Sequence, residues 1–289
     1  MYNLKEQRYH KTELLSRKFQ HPVFTPMKLV DEILEGLELD NSSQISILYS
    51  PEFAVSLMED HGVDSDRITL FTDGDPLLNK IADKMEVNAV DNLEELNVKH
   101  WSHMLGNPPY GRNSAQAIEF LNFGADHADN IVFVMPKTLR NASAMKRINS
   151  KLHLVDDTDN SDDSFDMELY TCTQTWEVRN EDRPPAEEYT KDMVKEDFEF
   201  TSKEKADVTI CRVGRNHIGY VFHKNVDYGN LKNFEERSPN SHHFIKIHKK
   251  SALKRLESLQ TEFLEAASNT VAQSALSKSD LVRIYLESK

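Results

Sequence analysis

The stretch Gly106-Asn107-Pro108-Pro109-Tyr110-Gly111 decides both the predicted fold and the predicted site. It lies between a short apolar run at 103–105, which predicts a strand, and a segment at 114–123, which predicts a helix. Such a loop falls at the carboxyl end of a strand, where open α/β sheets bind their ligands. Because the two prolines fix φ and remove two N–H donors, the backbone is stiff and its carbonyl oxygens are left without internal partners.

The loop presents an amide oxygen, a bare carbonyl oxygen and an aromatic ring side by side. The amide of Asn107 and the carbonyl of Pro108 can accept the two N–H bonds of an exocyclic amine. The ring of Tyr110 offers a flat face to the ring that bears this amine. The same four residues also fit a Pro-Pro turn with an Asn beside a helix, and both interpretations stay open at this point.

Asn107-Pro108-Pro109-Tyr110 resembles the catalytic motif of S-adenosyl-L-methionine-dependent amino-methyltransferases, above all the adenine-N6-specific DNA methyltransferases. The resemblance implies catalytic roles for all four residues. Asn107 Oδ1 and the Pro108 carbonyl would hold the target amine, while Tyr110 stacks on a flipped base beside Pro109. The resemblance covers residues 24–250, with this one highly specific motif and several weaker ones in the family's order.

Strand and helix signals alternate along the first part of the chain, which predicts a parallel, doubly wound sheet. The predicted fold class is α/β, a Rossmann-like class I methyltransferase core with a mixed, mainly parallel sheet and a smaller C-terminal α+β target-recognition region. Strands are predicted at 45–49, 68–72, 87–90, 103–105, 131–135 and 168–179. Helices are predicted at 52–60, 77–85, 93–96 and 114–123.

The resemblance implies S-adenosyl-L-methionine as the cofactor and assigns polar residues at the strand ends to it. Asp73, with Asp75 as the alternative, follows the second strand, where the family has a carboxylate that accepts both ribose hydroxyls. Asp91 follows the third strand, where an Asp hydrogen-bonds the adenine amino group. Asn107 comes next, in the order that the family shows.

Thr25 and Pro26 predict the start of a helix, with Thr25 as the N-cap and Pro26 as the first helical residue. The pair also resembles an element that, in one permutation class of amino-methyltransferases, touches the methionine end of the cofactor. A cap alone and a cap that also contacts the cofactor both remain open.

The first strand runs into Tyr49-Ser50-Pro51-Glu52, which contains no glycine, whereas the family has a glycine-rich turn at this place. Since only glycine lacks a Cβ, side chains would crowd the usual approach of the methionine moiety. If the chain binds the cofactor, Tyr49, Pro51 and Glu52 line the site at a helix start, whose N–H groups meet the cofactor carboxylate. The alternative is a degenerate, inactive fold.

The chain of 289 residues has a net charge of −13, which argues against simple nucleic-acid binding. Residues 201–255, however, hold 12 basic and 5 acidic groups. This basic part is compatible with a nucleic-acid-reading segment and equally with a solvated surface of mixed charge, and the family resemblance implies double-stranded DNA as the partner. Its candidate contacts are Arg212, Arg215, Lys246 and Lys249.

The Pro-rich stretch 182–188 predicts a linker. It divides a catalytic domain at 1–183, with a helical lead-in over 1–20, from a target-recognition region at 184–289. The acidic run 156–168 predicts a loop. The second region is expected to contain a hairpin, a basic strand and two closing helices, at 206–221, 241–250, 253–267 and 277–286.

Two distant cysteines, Cys172 and Cys211, lack any metal or redox spacing, so reduced thiols and a cytoplasmic location are expected, with no metal site and no membrane segment. A companion restriction endonuclease is a further expected partner. The same loop chemistry also suits a protein glutamine-N5 methyltransferase, which the overall acidity favours. RNA methylation, cytosine-N4 methylation and a non-catalytic methyltransferase-like binding protein remain alternatives.

Overall fold

The structure is a computed structural model that describes residues 24–160, 171–214, 217–268 and 274–288. The chain forms two compact units. The first unit extends to Pro185 but does not include Arg140–Ala142. The second unit consists of these three residues and Ala186–Lys289. The predicted lead-in helix at 1–20 lies outside the described residues.

The first unit is built on a seven-stranded sheet in the order β3-β2-β1-β4-β5-β7-β6. Strand β7 is antiparallel to both of its neighbours, and the pairs among β1 to β5 are parallel. Without β7, this is the strand order of the doubly wound nucleotide-binding folds. The strands are β1 (Ile45–Leu48), β2 (Ile68–Phe71), β3 (Asn88–Val90), β4 (Trp101–Gly106), β5 (Ala128–Pro136), β6 (Leu152–Asp159) and β7 (Thr171–Val178). The predicted α/β, Rossmann-like core with a mixed, mainly parallel sheet is confirmed.

Apolar layers cover both faces of this sheet, which is why every residue of β1 and β2 is buried. One layer, here called layer A, contains Met104, Phe133 and side chains of the helix that follows the loop at residues 106–111. The other, layer B, contains Ile47, Leu105 and side chains of the first two helices. The helices are α1 (Met27–Glu35), α2 (Pro51–Glu59), α3 (Pro76–Met85), α4 (Leu93–Leu96), α5 (Ala115–His127) and α6 (Ala142–Met145).

Strand β6 is the main departure from the predicted elements. Residues 156–159 belong to it, so the loop predicted for 156–168 is wrong there, and 161–168 lie outside the described residues. Because β6 is an edge strand with most side chains exposed, the acidic residues of its second half stay in water, and no apolar pattern reveals that half. Strand β7 lies between β5 and β6, so β6 and not β7 is the edge strand on this side of the sheet.

Arg183 is anchored in the first unit, inside the stretch predicted as a linker. Its guanidinium donates hydrogen bonds to four backbone carbonyls, those of Met145, Ile148, Asn149 and Leu152. Burial lowers the pKa of this guanidinium. The arginine thereby fixes the segment that leads into β6.

The second unit is α+β, as predicted. Its four antiparallel strands have the order β10-β9-β11-β8, and one face of the sheet packs on the closing helices. Strands β9 and β10 form the predicted hairpin. The helix predicted for 253–267 is two helices that meet at Leu259. The elements are β8 (Phe198–Phe200), β9 (Val208–Cys211), β10 (Val221–His223), β11 (His242–Ile247), α7 (Lys250–Ser258), α8 (Gln260–Ala267) and α9 (Lys278–Glu287).

Across the described ranges, every helix falls short of the length and apolar character that a bilayer crossing requires.

Gly106 is the residue that lets β4 end against β1. Its φ is +145°, and a Cβ at this position would lie 2.3 Å from the carbonyl oxygen of Leu48. That distance is much shorter than a van der Waals contact with a backbone oxygen. A side chain at this position would therefore displace the start of the loop at residues 106–111. Only glycine fits both the dihedral angle and the space.

We expect Gly106→Ala to lower the free energy of unfolding by more than about 2 kcal/mol, because strain and overlap act together. Gly36→Ala is the matched control, since its added Cβ would meet only one carbonyl oxygen at 3.8 Å. Chemical denaturation of both variants measures the difference. Equal stability of the two variants would contradict the packing described for Gly106.

Candidate functional site

The loop at residues 106–111 is held at its start by β1 and at its end by α5. The N–H of Asn107 donates to the Ser50 hydroxyl at 3.1 Å and lies 3.4 Å from the Leu48 carbonyl oxygen. The carbonyl of Tyr110 accepts from two amides in the first turn of α5. Asn107 and Pro108 are buried, Pro109 and Tyr110 are half-buried, and the residues after them are exposed. The loop is therefore fixed at both ends, with its second half open to solvent.

The side chains of Asn107 and Tyr110 contact each other. The Tyr110 hydroxyl donates to Asn107 Oδ1 at 3.1 Å, and the ring packs against the edge of layer A. Burial raises the pKa of Tyr110, so the phenol stays protonated and remains a donor. This bond helps to fix the direction of the Asn107 amide.

A buried hydroxyl pair joins Thr25 to the loop. Thr25 is 2% exposed, and its Oγ1 lies 3.3 Å from Ser50 Oγ, the atom that accepts the Asn107 N–H. The predicted N-cap role of Thr25 is wrong: Pro26 occupies the N-cap position of α1, and no side chain caps this helix. Ser50 was missed because a serine before a helix predicts an N-cap, yet its side chain does not cap α2.

The glycine-free turn keeps its aromatic side chains in the two apolar layers. Tyr49 has a φ of +59° and packs edge-to-face on Phe71 and Phe120 in layer A. Phe53 lies in layer B. Pro51 and Glu52 are both buried in the first turn of α2. The left-handed backbone of Tyr49 thus takes the conformation that a glycine would adopt most easily.

Of the two carboxylates considered for the ribose, Asp73 and Asp75, the second is a helix cap. Asp75 Oδ1 accepts from Leu77 N at 2.7 Å and from Leu78 N at 3.2 Å, at the start of α3. Asp73 is exposed just past the end of β2, and its Oδ2 accepts a hydrogen bond from the Tyr49 hydroxyl at 3.1 Å. Asp73 is therefore the carboxylate that faces the carboxyl edge of the sheet.

Asp91 is exposed directly after β3, and its carboxylate is oriented by two uncharged donors. The Thr72 hydroxyl donates to Oδ1 at 2.6 Å and the Asn79 amide donates to the same atom at 2.9 Å. The hydrogen bond from Thr72, followed by that from Asn79, lowers the pKa of Asp91, because both stabilise the carboxylate. No sequence pattern pointed to Thr72 and Asn79, because threonine at a strand end and asparagine in a helix are ordinary.

We expect the isosteric Thr72→Val change to raise the pKa of Asp91, since it removes the strongest hydrogen bond to the carboxylate. A carboxyl-carbon NMR titration measures this shift. Thr158→Val is the matched control: its hydroxyl donates to Asp156, so it should leave Asp91 unchanged. An Asp91 titration that Thr72→Val does not move would contradict the hydrogen-bond assignment.

The predicted nucleic-acid contacts of the second unit lie in different environments. Lys246 is exposed near the end of β11. Lys249 pairs with Asp197 at 2.7 Å, and Asp197 also accepts from the Tyr285 hydroxyl. Arg212 is half-buried, and its Nε has no hydrogen-bond partner within the described ranges. Arg215 lies outside the described residues.

A buried arginine in the second unit has no counterpart in the sequence-based prediction. Arg237 stacks on Phe222, with 3.2 Å from guanidinium carbon to ring centroid, and donates to His242 Nε2 at 2.9 Å. Burial, with the Arg237 charge adding to it, lowers the pKa of His242 to about 4. Phe222 is covered in this way, whereas Tyr220, which directly precedes β10, is 40% exposed to solvent.

No protein-family model matches the chain, and no curated protein matches it in sequence.

Several solved methyltransferase structures resemble part of the chain. TrmN from Thermus thermophilus is 11% identical, with 53% of this chain and 48% of that one covered and a TM-score of 0.41. This chain thus spans about half the length of that protein. A Listeria monocytogenes protein, provisionally described as a class I S-adenosylmethionine-dependent methyltransferase, is 15% identical over 64% and 72% of the chains, with a TM-score of 0.49.

The tRNA (uracil-54, C5)-methyltransferase of Pyrococcus abyssi, solved in complex with S-adenosyl-L-homocysteine, is 18% identical over 52% of this chain and 37% of that one, with a TM-score of 0.37.

Proposed function

We propose that the chain is a DNA adenine-N6 methyltransferase that transfers a methyl group from S-adenosyl-L-methionine to a flipped adenine. One observation carries this proposal. Strands β2, β3 and β4 run parallel with β1 in one sheet, and each is followed by a candidate site residue: Asp73 after β2, Asp91 after β3 and the Asn107 loop after β4. All three therefore lie at the carboxyl edge of the sheet. In doubly wound sheets, that edge is the ligand-binding edge.

The charges at this edge favour a nucleoside cofactor without phosphates. Asp73 and Asp91 are exposed carboxylates. A pyrophosphate would meet repulsion from both, whereas ribose hydroxyls and an adenine amine are donors that carboxylates accept. The residues therefore fit S-adenosyl-L-methionine, which supplies an electrophilic methyl group and carries a positive sulfonium.

The loop supplies orientation to the reaction. Asn107 Oδ1 and the Pro108 carbonyl accept hydrogen bonds from the target amine and direct its lone pair along the line of attack. S-adenosyl-L-methionine would supply the methyl group to the amine nitrogen, S-adenosyl-L-homocysteine would be the leaving product, and an amine proton would pass to water. Correct placement of the two reactants supplies much of the rate acceleration. The Tyr110 ring stacks on the flipped base and offsets the cost of unstacking, about a few kcal/mol.

The basic character of residues 201–255 supports DNA as the substrate, because phosphate contacts supply most non-specific affinity. Lys246 and Lys249 are both exposed candidates in this segment, but Lys249 already has Asp197 as its partner. The net charge of −13 favours the second candidate, a protein glutamine-N5 methyltransferase, which would use the same four loop residues. The substrate assay separates these two functions.

The test of this proposal is methyl transfer from radiolabelled S-adenosyl-L-methionine to unmethylated plasmid, to total RNA and to a protein extract. We expect label in the plasmid, and in N6-methyladenine after digestion. Label only in protein would establish the glutamine candidate instead, and label only in RNA would move the substrate to RNA. A chain that binds no cofactor would be a non-catalytic methyltransferase-like protein.

We expect Asn107→Ala to lower the turnover rate by about 10²–10³-fold, because the target amine loses a positioned acceptor. Calorimetry should give a cofactor dissociation constant close to that of the wild type. Asn180→Ala is the matched control, since Asn180 is exposed beyond the carboxyl end of antiparallel β7, away from the catalytic loop. Wild-type turnover by Asn107→Ala would contradict the assigned chemistry.

We expect Lys246→Ala to weaken DNA binding and to lower the slope of log affinity against log salt by about 0.9, the contribution of one phosphate contact. Lys249→Ala should change the slope less, because Asp197 already neutralises that lysine in the free protein. Fluorescence anisotropy over a salt series measures both variants. An unchanged slope for Lys246→Ala would remove this residue from the interface.

A further inference from the structure

We propose that Tyr49 is a positioning residue that orients the Asp73 carboxylate toward the ribose of the cofactor, in the place where related enzymes have a glycine-rich turn. The Tyr49 hydroxyl donates to Asp73 Oδ2 at 3.1 Å across the ends of β1 and β2. This inference rests on the proposed function, because it assigns a role toward the same cofactor.

The position of the Tyr49 ring is fixed by its surroundings. The residue is 6% exposed, and its ring lies edge-to-face on Phe71 at 5.3 Å and on Phe120 at 5.6 Å. Its N–H donates to the Phe71 carbonyl at 3.1 Å, which continues the pairing of the two strands past their ends. A φ of +59° is unfavourable for a tyrosine, so the surrounding packing must hold it there.

The hydroxyl remains a hydrogen-bond donor over the physiological pH range. Burial, followed by the nearby Asp73 charge, raises the pKa of Tyr49 well above its usual value. The phenol is thus neutral and can only donate to a carboxylate. A bond from a rigid ring to one oxygen restricts rotation of the Asp73 carboxylate and defines where its other oxygen points.

Asp73 needs such a partner because its own backbone is in a tight turn. It has a φ of +53° and precedes Gly74, whose φ is +71°. Among the described residues, no other side chain donates a hydrogen bond to the Asp73 carboxylate. Asp91 shows the same design at the next strand, where Thr72 and Asn79 provide the uncharged donors. Tyr49 therefore serves Asp73 as that pair serves Asp91.

The experiment is calorimetric titration of wild-type protein and Tyr49→Phe with S-adenosyl-L-homocysteine and with an analogue that lacks both ribose hydroxyls. Tyr49→Phe keeps the ring and its packing and removes only the hydroxyl. We expect it to bind S-adenosyl-L-homocysteine about tenfold more weakly, the loss of a hydrogen bond to a charged group, and to bind the analogue as the wild type does.

Two further variants separate positioning from general stability. Tyr285→Phe is the matched control, because it removes a hydroxyl that donates to Asp197 at 2.8 Å in the second unit. It should bind both compounds as the wild type does. In an Asp73→Asn background, Tyr49→Phe should cause little additional loss, since the carboxylate that it orients is gone.

The outcomes distinguish this inference from the proposed function. If the wild-type protein binds S-adenosyl-L-homocysteine and Tyr49→Phe binds it with the same affinity, the role of Tyr49 is overturned and the methyltransferase proposal stands. Equal loss for both compounds also overturns it, because that pattern reports a general disturbance of the turn. Failure of the wild-type protein to bind S-adenosyl-L-homocysteine overturns the proposed function and this inference together.

Discussion

The candidate site depends on how closely β4 approaches β1 where both strands end. Gly106 lies against the Leu48 carbonyl with no room for a Cβ, and the next N–H, that of Asn107, donates to Ser50 Oγ. Since these contacts involve backbone atoms, they fix the loop more firmly than side-chain packing would. The two prolines restrict the backbone between Asn107 and Tyr110. The Tyr110 carbonyl in turn accepts hydrogen bonds from the first turn of α5.

A second principle of the site is that its carboxylates are oriented by neutral groups. Tyr49 donates to Asp73, and Thr72 and Asn79 donate to Asp91. Neutral donors stabilise the ionised carboxylates without cancelling their charge, so the edge of the sheet remains negative. A negative edge selects ligands rich in donors or positive charge. The negative charge suits the proposed ligand, a nucleoside with a positive sulfonium. It distinguishes this site from the phosphate-binding sites of the same fold class.

The sequence could predict the parts that repeat a pattern. Apolar runs bounded by turn residues located β1 to β3, and the Pro-Pro loop located the end of β4. It could not predict β6, because an acidic edge strand exposed to water has no apolar alternation. It also misassigned Thr25, because a threonine before a proline predicts a cap whether or not its hydroxyl instead meets a distant Ser50.

The partners within the site were beyond sequence reasoning for a related reason. Ser50, Thr72 and Asn79 act through hydrogen bonds to residues 12 to 57 positions away, which no local pattern encodes. The turn at Tyr49 shows the same limit. The missing glycine predicted crowding, yet the structure accommodates the ring by a left-handed backbone and edge-to-face packing in layer A.

Hydrogen–deuterium exchange with and without S-adenosyl-L-homocysteine tests most directly whether this edge of the sheet is a cofactor site. The ligand should slow exchange in three segments, 49–53, 72–75 and 106–111, and leave the amides at the opposite edge, near 126–129 and 178–181, unchanged. Absence of slowing in the three segments, or slowing confined to other parts of the chain, would contradict the account.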